Sequence, residues 1–253
     1  MKVCVIGDIH GTSKFIDCYT NILHNEKDCE KIIVMGDHFD PYENISVEEM
    51  LEKYDIFTET CRKDKRIISL LGNHDLASYI IKGDCTNRTE KNSKWHKEIS
   101  KVLTRNLPNS YLTYIIEDYV FSHAGISKTW LESTKKFNKN YINKLSDNQK
   151  GWTVDELTEL TSFYKGDYSG YGEDKHQGCT WIRIGALSDD AIDGFNQVVG
   201  HTRLEKITKF DMNNNNMKLW VVDNGGKNEY LTLDIEKIDW TGVETGDLDD
   251  ALG

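Results

Sequence analysis

Proline, long apolar segments and internal repeats are scarce or missing in this chain of 253 residues. Its two prolines, Pro41 and Pro108, leave no linker that would mark a domain boundary. No stretch approaches the roughly 20 apolar residues of a membrane span, and the apolar run at residues 3–6 is too short for a signal peptide. We therefore expect one domain, residues 1–240, with no membrane partner. Residues 241–253 form an acidic tail whose composition is compatible with disorder.

Cysteine pairs at metal-binding spacing are also missing. The six cysteines include no CxxC pair and no tight cluster, which argues against a zinc knuckle and against a disulfide framework. Their scatter is typical of reduced thiols, and we expect a cytoplasmic protein. They are Cys4, Cys18, Cys29, Cys61, Cys85 and Cys179.

Positive charge is in deficit. The chain has 31 basic and 42 acidic residues and a net charge of -11. Such a protein repels a nucleic-acid backbone over most of its surface, so no extended nucleic-acid surface is expected. A small or locally recognised phosphate fits better, because bound metal ions let an acidic protein hold an anionic group.

Short apolar runs alternate with segments of helical periodicity in the first 80 residues. Each run ends at a glycine and a polar residue, which is typical of a strand buried on both faces of a sheet. Between the runs, residues 15–23 and 50–57 place apolar side chains at helical spacing. Repeated strand–helix–strand units predict parallel pairing and an α/β fold. The runs are Val3 to Ile6, Ile32 to Met35 and Ile67 to Leu71.

The later part of the chain predicts a hairpin, more helices and a second set of strands. Leu112 to Ile116 and Tyr119 to Phe121 flank a turn at residues 117–118, as in a hairpin. A surface helix is expected within residues 86–106, helices with a polar linker at 127–165, and a loop near the site at 166–178. The further strands are predicted at Gln197 to Val199, Ile207 to Phe210, Leu219 to Val222 and Tyr230 to Leu233.

Five polar motifs lie at intervals along the chain, most of them directly after these apolar runs. They offer carboxylate, imidazole and amide donors but no thiolate, a set that suits Mn, Fe or Zn. Asp-x-His at a strand end directs two donors to one side, and Asp37 has two oxygens with which to bridge two cations. The carboxyl ends of parallel strands meet at one edge of a sheet, so the motifs become neighbours. They are Gly7-Asp8-Ile9-His10-Gly11, Gly36-Asp37-His38-Phe39-Asp40, Gly72-Asn73-His74-Asp75, Ser122-His123-Ala124-Gly125 and Gly200-His201-Thr202-Arg203.

Together these motifs resemble those of the calcineurin-like metallophosphoesterase superfamily, and within it the PPP-type branch in its bacterial or phage form. That branch includes serine/threonine protein phosphatases and symmetrical diadenosine tetraphosphate hydrolases. The resemblance runs from Met1 to about Leu233 in the family's order, and the segment Val221 to Gly226 resembles the family's closing strand and turn. It implies two mixed β-sheets packed face to face and flanked by helices.

The resemblance also implies a role for each matching residue. His74 protonates the leaving oxygen and Asp40 orients His74, while Asn73 and Arg183 contact the substrate phosphate. Two divalent cations are implied, with Mn the expected metal and Fe or Zn as alternatives. The implied ligands are Asp8 and His10 on the first cation, Asp37 on both, and Asn73, His123 and His201 on the second.

Three departures from the family pattern stand out, and the first of them bears on phosphate binding. PPP enzymes usually read Gly-Asp-x-Val-Asp-Arg-Gly, but Pro41 stands here where the phosphate-binding arginine is expected. Arg183, in Thr180-Trp181-Ile182-Arg183, resembles a phosphate-contacting arginine of bacterial members and is the best remaining clamp. Asp75 replaces a glutamate common in the eukaryotic phosphatases. Arg203 ends a motif without the second histidine of other superfamily branches, which supports the PPP-type assignment.

The implied function is phosphoester hydrolysis by a hydroxide held between two cations, with a phosphoprotein or small phosphomonoester as substrate. A nucleotidase or dinucleoside polyphosphate hydrolase is the alternative within the same superfamily. A non-catalytic metal- or phosphate-binding module is an alternative of another class, although such a module has no need of the acid His74. Substrate choice depends on loops 83–110 and 164–180.

Several of these residues also have simpler explanations. Asp40 is a candidate turn cap, and Arg183 and Arg203 are candidate surface residues of an acidic chain. Trp181 is expected to pack rather than to stack on a base. Tyrosines at 164, 168 and 171 line a substrate mouth or lie in a glycine-rich surface loop. Four histidines without a motif role are expected at the surface or in packing: His24, His38, His96 and His176.

Overall fold

The computed structural model describes residues 1–81, 94–134, 153–161, 173–212 and 217–237. These ranges contain all five motifs and both sets of strands predicted from the sequence. The loop at 166–172, the turn at 213–216, the tail at 241–253 and most of the linker within 127–165 lie outside them.

The first sheet has five strands in the order β10-β1-β2-β3-β4. β1, β2, β3 and β4 are parallel neighbours, and β10 pairs antiparallel with β1. The parallel pairing predicted for the first three strands is therefore confirmed. The strands are β1 Lys2–Ile6, β2 Cys29–Val34, β3 Ile67–Leu70, β4 Ser110–Tyr111 and β10 Tyr230–Asp234.

The second sheet also has five strands, in the order β5-β6-β7-β9-β8. β6, β7 and β9 are parallel, while the edge strands β5 and β8 are antiparallel to their neighbours. The strands are β5 Thr113–Ile116, β6 Tyr119–Ser122, β7 Asn196–Val199, β8 Thr208–Asp211 and β9 Lys218–Val221.

Seven α-helices lie within the described residues. They are α1 Lys14–Asn25, α2 Val47–Lys63, α3 Asn73–Tyr79, α4 Lys94–Asn106, α5 Lys128–Ser133, α6 Val154–Thr161 and α7 Ile184–Asp190. A short 3₁₀ helix, Leu107–Asn109, follows α4. No helix in the described ranges combines the length and apolar character needed to cross a bilayer.

Helix α2 shows why these segments become helical. The Ser46 side chain accepts a hydrogen bond from the Glu49 backbone N–H at 3.2 Å, which caps the first turn. Acidic residues in the first turn and basic residues in the last turn complement the helix dipole. Met50, Tyr54 and Phe57 recur on one face and are buried against the first sheet.

The two sheets pack face to face, and alternate residues along their strands point to opposite sides. Val3 and Val5 of β1 lie in a core with Phe121, Val198 and other residues of the second sheet. Cys4 and Ile6, the intervening β1 residues, pack instead among the helices. Because side chains alternate with a period of two, strands buried on both faces need nearly continuous apolar runs, as in Val3 to Ile6.

The structure refines several sequence predictions. The hairpin is formed by β5 and β6, but Leu112 belongs to neither β4 nor β5 and lies where the chain passes from the first sheet to the second. Within the segment expected to contain a surface helix, α4 begins at Lys94, and residues 86–93 are not described. The expected strand at 207–210 is shifted by one residue, to Thr208–Asp211.

Candidate active site

The five motifs converge at the carboxyl ends of β1, β2, β3, β6 and β7. Four of their non-glycine residues have positive φ angles: His10 (46°), Asp37 (50°), Asp40 (59°) and His201 (58°). Backbone bonds between loops hold this unusual geometry, such as His10 N–H to Asp37 O at 2.6 Å and Gly11 N–H to His38 O at 2.9 Å. Strained backbone of this kind persists where the surrounding structure over-determines it, often at functional sites.

Asp8, His10 and Asp37 form a buried group in which one ligand atom of each lies within 4.8 Å of the others. His10 Nδ1 lies 2.9 Å from Asp40 O and 3.2 Å from Phe39 O, so this nitrogen carries the proton and donates. His10 Nε2 is left as a lone-pair donor, and it is buried with no hydrogen-bond partner within the described residues. A carbonyl that orients an imidazole in this way is typical of metal-binding histidines.

The Asp8 carboxylate is held at one oxygen only. Its Oδ2 accepts a hydrogen bond from the His201 backbone N–H at 3.0 Å, whereas buried Oδ1 has no hydrogen-bond partner in the described part of the chain. Burial, together with the carboxylates of Asp223 and Asp37, raises the pKa of Asp8 well above its usual range. An unpaired buried carboxylate is costly, and a cation beside it removes that cost.

Asn73, His123 and His201 form a second group around one amide oxygen. Asn73 Oδ1 lies 2.9 Å from both His123 Nε2 and His201 Nδ1. The far nitrogens are fixed by backbone carbonyls, His123 Nδ1 by Met35 O at 2.7 Å and His201 Nε2 by Trp181 O at 3.0 Å. Each imidazole therefore turns its other nitrogen towards the same point.

Asp37 lies between the two groups. Its Oδ2 is 3.7 Å from His10 Nε2 and 3.4 Å from His123 Nε2, and its Oδ1 accepts from the His74 backbone N–H at 2.8 Å. Burial opposes ionisation of Asp37, but the imidazoles of His123 and His74 lower its pKa well below the usual range. The position suits a carboxylate that bridges two cations.

The titration behaviour of the histidines also fits a cation site. Burial lowers the pKa of His10 and, together with Arg183, that of His201, so both imidazoles are in the neutral form that metal binding needs. Burial opposes protonation of His123 as well, but Asp37 and Asp8 raise its pKa to about 10. The two carboxylates thus favour a proton on His123. A bound cation would supply the same positive charge and displace that proton. The six side chains therefore fit divalent metal ions.

His74 lies beside this centre without pointing its Nδ1 into it. His74 Nδ1–H donates to Asp40 Oδ2 at 3.0 Å, and Asp40 Oδ1 accepts from the Tyr79 hydroxyl at 2.7 Å. His74 is 8% exposed and Asp40 fully buried. The His74 ring lies 5.3 Å from the His10 ring, so the pair predicted from the sequence is formed next to the metal-ligand candidates.

Two arginines lie near the site in different ways. Arg183 Nη1 donates to the carbonyl of His201 at 2.9 Å, which places its partly buried guanidinium against that metal-ligand candidate. Burial lowers the pKa of Arg183, and Tyr42 and nearby acidic groups oppose that change. Arg203 is exposed and lies over the Tyr42 ring, 5.2 Å from its centroid. Tyr42 in turn contacts the His10 ring at a centroid distance of 4.5 Å.

Two glycines allow the carboxylates to approach the backbone. A Cβ on Gly72 would lie 2.0 Å from Asp37 Oδ1, and a Cβ on Gly200 would lie 2.1 Å from Asp8 Oδ1. Neither glycine has a positive φ angle, so close approach is what requires glycine here.

The structure corrects the surface alternative for His38 and adds residues that sequence reasoning missed. His38 is buried, and its backbone N–H and Nδ1–H both donate to Asp75, at 2.7 and 3.0 Å. Asp75 also accepts from Gly72 N–H at 3.0 Å and so joins the Asp37 and Asn73 loops. Tyr79 was missed because only the fold shows where its hydroxyl points. Trp181 packs against His201, as expected for a packing residue.

Lys14 is a second residue without a sequence signal. It is 1% exposed, and its Nζ donates to Asn224 Oδ1 at 3.0 Å. It also lies near enough to oppose the pKa rise of Asp8. Of the other histidines, His24 and His176 are exposed, and His96 packs against Tyr79. The tyrosines at 164, 168 and 171 lie outside the described residues.

Comparisons with known proteins agree with this architecture. The calcineurin-like phosphoesterase family model matches residues 1–241. A search of curated proteins found no match. Among solved structures, a mutant cold-active protein tyrosine phosphatase aligns with a TM-score of 0.58 and 21% identity, over 92% of this chain and 75% of its own, and it shares the fold.

Two further structures align less closely. A metallophosphoesterase from Sphaerobacter thermophilus has a TM-score of 0.47 and 14% identity, over 92% of this chain and 84% of its own. A serine/threonine phosphatase from Saccharomyces cerevisiae, with similarity to human phosphatase PP5, has a TM-score of 0.46 and 15% identity, over 88% of this chain and 67% of its own.

Proposed function

The chain belongs to the calcineurin-like phosphoesterase family and is a metal-dependent phosphatase, and we propose that it is a two-metal phosphomonoesterase of the protein-phosphatase type. The observation that carries the proposal is the convergence of six buried donor side chains on two adjoining points, with Asp37 between them. Asp8 Oδ1 and His10 Nε2 have no hydrogen-bond partner among the described residues, and they support the same proposal, since buried polar atoms are rarely left unpaired.

We assign the ligands in two overlapping sets. Asp8, His10 and Asp37 hold the first cation; Asp37, Asn73, His123 and His201 hold the second. Oxygen and imidazole donors suit Mn, Fe and Zn, and we expect Mn, with Fe or Zn as alternatives. When bound, two such ions acidify a water for attack and neutralise the phosphoryl oxygens.

His74 acts as the general acid. Its Nδ1–H is engaged by Asp40, so the acid role is assigned to Nε2–H. As the phosphorus–oxygen bond to the leaving group breaks, its electron pair stays on the departing oxygen, which takes that proton. General acid catalysis of this kind contributes about 10²–10⁴-fold. The products are an alcohol and inorganic phosphate.

Arg183 and Asn73 hold the substrate phosphate. Pro41 occupies the position of the family's usual arginine, and the Arg183 guanidinium is fixed beside His201 by its bond to that residue's carbonyl. A guanidinium matches phosphate oxygens in a bidentate manner, so one arginine can restore the missing contact.

A nucleotidase or dinucleoside polyphosphate hydrolase is the alternative substrate class, and a non-catalytic binding module is the remote one. The Asp40–His74 pair favours an enzyme, because a binding module gains nothing from an oriented acid. We further propose one domain over residues 1–240 and a cytoplasmic location, which the free thiols of Cys4, Cys18, Cys29, Cys61 and Cys179 support.

The decisive experiment compares substrates and leaving groups. Purified protein with Mn is assayed on phosphopeptides, nucleotides, dinucleoside polyphosphates and cyclic phosphodiesters, and a phosphomonoester should be turned over best. His74→Asn should retain metal while kcat falls, more on phosphoserine than on p-nitrophenyl phosphate, whose leaving group needs little protonation.

Each alternative predicts a different outcome. Loss of metal from the His74→Asn protein would make His74 a ligand, and equal losses on both substrates would leave it only a phosphate contact. Unchanged activity would revive the binding-module alternative. Preferred cleavage of a dinucleoside polyphosphate would replace the phosphomonoesterase assignment.

A further inference from the structure

Tyr79 extends the Asp40–His74 pair into a chain of three side chains. The Tyr79 hydroxyl donates to Asp40 Oδ1 at 2.7 Å, and His74 Nδ1–H donates to Asp40 Oδ2 at 3.0 Å. Each oxygen of this buried carboxylate therefore has its own donor. Tyr79 is 4% exposed and Asp40 is 0% exposed, so water does not replace either bond easily.

Packing fixes the direction of the Tyr79 hydroxyl. Tyr79 is the last residue of α3, the helix that begins with Asn73 and His74. Its ring contacts the Phe39 ring at a centroid distance of 5.8 Å and the His96 ring at 5.3 Å. The same short helix thus carries the acid at its start and the tyrosine at its end.

The geometry points to Tyr79 as a positioning residue for the general acid: its hydroxyl holds the Asp40 carboxylate in the rotamer that orients His74. Asp40 has a positive φ angle of 59°, so its side chain starts from a backbone conformation that non-glycine residues seldom adopt. Without the hydroxyl, Oδ1 loses this buried hydrogen bond, and the carboxylate is held less firmly in its rotamer. The imidazole then loses its fixed direction.

This inference rests on the proposed acid role of His74, and the test separates the two. Tyr79→Phe keeps the ring and removes only the hydroxyl, and kcat should fall about 10-fold on phosphoserine, the scale of one lost hydrogen bond to a charged group. The loss should be smaller on p-nitrophenyl phosphate, and KM should change little, because the phosphate contacts are untouched.

The chain offers a matched control in Tyr19 of α1, whose hydroxyl donates at 3.0 Å to Oδ2 of Asp64, the residue that caps the end of α2. Tyr19→Phe removes the same kind of tyrosine–carboxylate bond and should leave kcat unchanged. Metal content of the Tyr79→Phe protein should match that of the control, whereas its thermal midpoint should be somewhat lower, because the lost bond is more deeply buried. Greater metal loss in Tyr79→Phe, or unfolding at the assay temperature, would show a structural role and overturn the inference.

A double mutant gives the sharpest discrimination. If Tyr79 acts through His74, adding Tyr79→Phe to His74→Asn should lower kcat no further. An equal loss in both backgrounds would overturn the positioning role, as would full activity of the single mutant. If His74→Asn lowers kcat equally on phosphoserine and p-nitrophenyl phosphate, the proposed acid role of His74 is wrong. That result is obtained before any Tyr79 variant is measured.

Discussion

Replacing Gly72 with alanine tests the packing of the proposed bridging carboxylate. Gly72 has φ −99° and ψ 175°, extended values that any residue adopts, so alanine brings no backbone strain. Its Cβ, however, would lie 2.0 Å from Asp37 Oδ1 and 2.6 Å from the Asp37 backbone nitrogen. The substitution therefore acts on Asp37 through contact alone.

The size of the effect follows from these distances. A carbon and an oxygen in contact stay more than about 3 Å apart, so the carboxylate must move by about 1 Å. Metal–ligand distances stay within about 0.2 Å of their usual values, so a shift of this size disturbs metal binding. Overpacking also lowers the free energy of unfolding by about 1–3 kcal/mol. A displacement of about 1 Å at a reacting centre lowers the rate on the order of 100-fold. We expect Gly72→Ala to weaken Mn binding and to lower kcat by that factor.

The assay is turnover of p-nitrophenyl phosphate against Mn concentration, with metal content and thermal unfolding measured on the same samples. Gly185→Ala is the control, because Gly185 is exposed in α7 and its Cβ meets only the flexible end of Glu173, at 2.8 Å. This variant should be active and at least as stable, since alanine favours a helix over glycine. A Gly72→Ala protein with normal Mn affinity and kcat would refute the packing argument.

Three further predictions follow from the site and the surface. Chelator should abolish activity on p-nitrophenyl phosphate and Mn should restore it, whereas full turnover by stripped protein would contradict a metal centre. Arg183→Ala should reduce kcat/KM about 10- to 100-fold with metal content unchanged, and exposed Arg203→Ala should reduce it less; equal kinetics would remove Arg183 from the site. Bonds from Arg66 lower the pKa of Asp64 to about 2. Because a depressed carboxylate pKa stabilises the fold above its unfolded value near 4, Asp64→Asn should cost about 1 kcal/mol at pH 7. That difference should shrink as the pH falls from 4 to 2 and vanish only below 2, and a pH-independent difference in unfolding free energy would contradict it.

The parts of the fold that follow local periodicity were predictable from the sequence. Val3 to Ile6 reads as a strand buried on both faces, and the structure buries it in that way, because only a continuous apolar run can bury both faces of a strand without cost. The break at Leu112 was not predictable. Residues 110–116 have one continuous strand-like pattern, and only tertiary packing decides that β4 and β5 join different sheets.

In the candidate site, too, some positions were predictable from the local sequence and others depend on tertiary packing. Asp8 and His10 stand in a glycine-bounded motif after a strand, so their place at the sheet edge followed from the sequence. His38 bonds to Asp75, 37 residues further along the chain, and Asp40 bonds not only to His74 but also to Tyr79, 39 residues away. Neither separation has a periodic signature, so such pairs emerge only when the loops are brought together in the fold.

The most direct test of the account is the number of metal ions that the intact chain binds in its active state. Metal-stripped protein is titrated with Mn, and bound metal per chain is measured by elemental analysis alongside kcat. Two Mn ions per chain are expected, with full activity reached only as the second is bound, because Asp37 lies between two ligand groups. Full activity with one ion per chain, or with none, would contradict the two-metal centre.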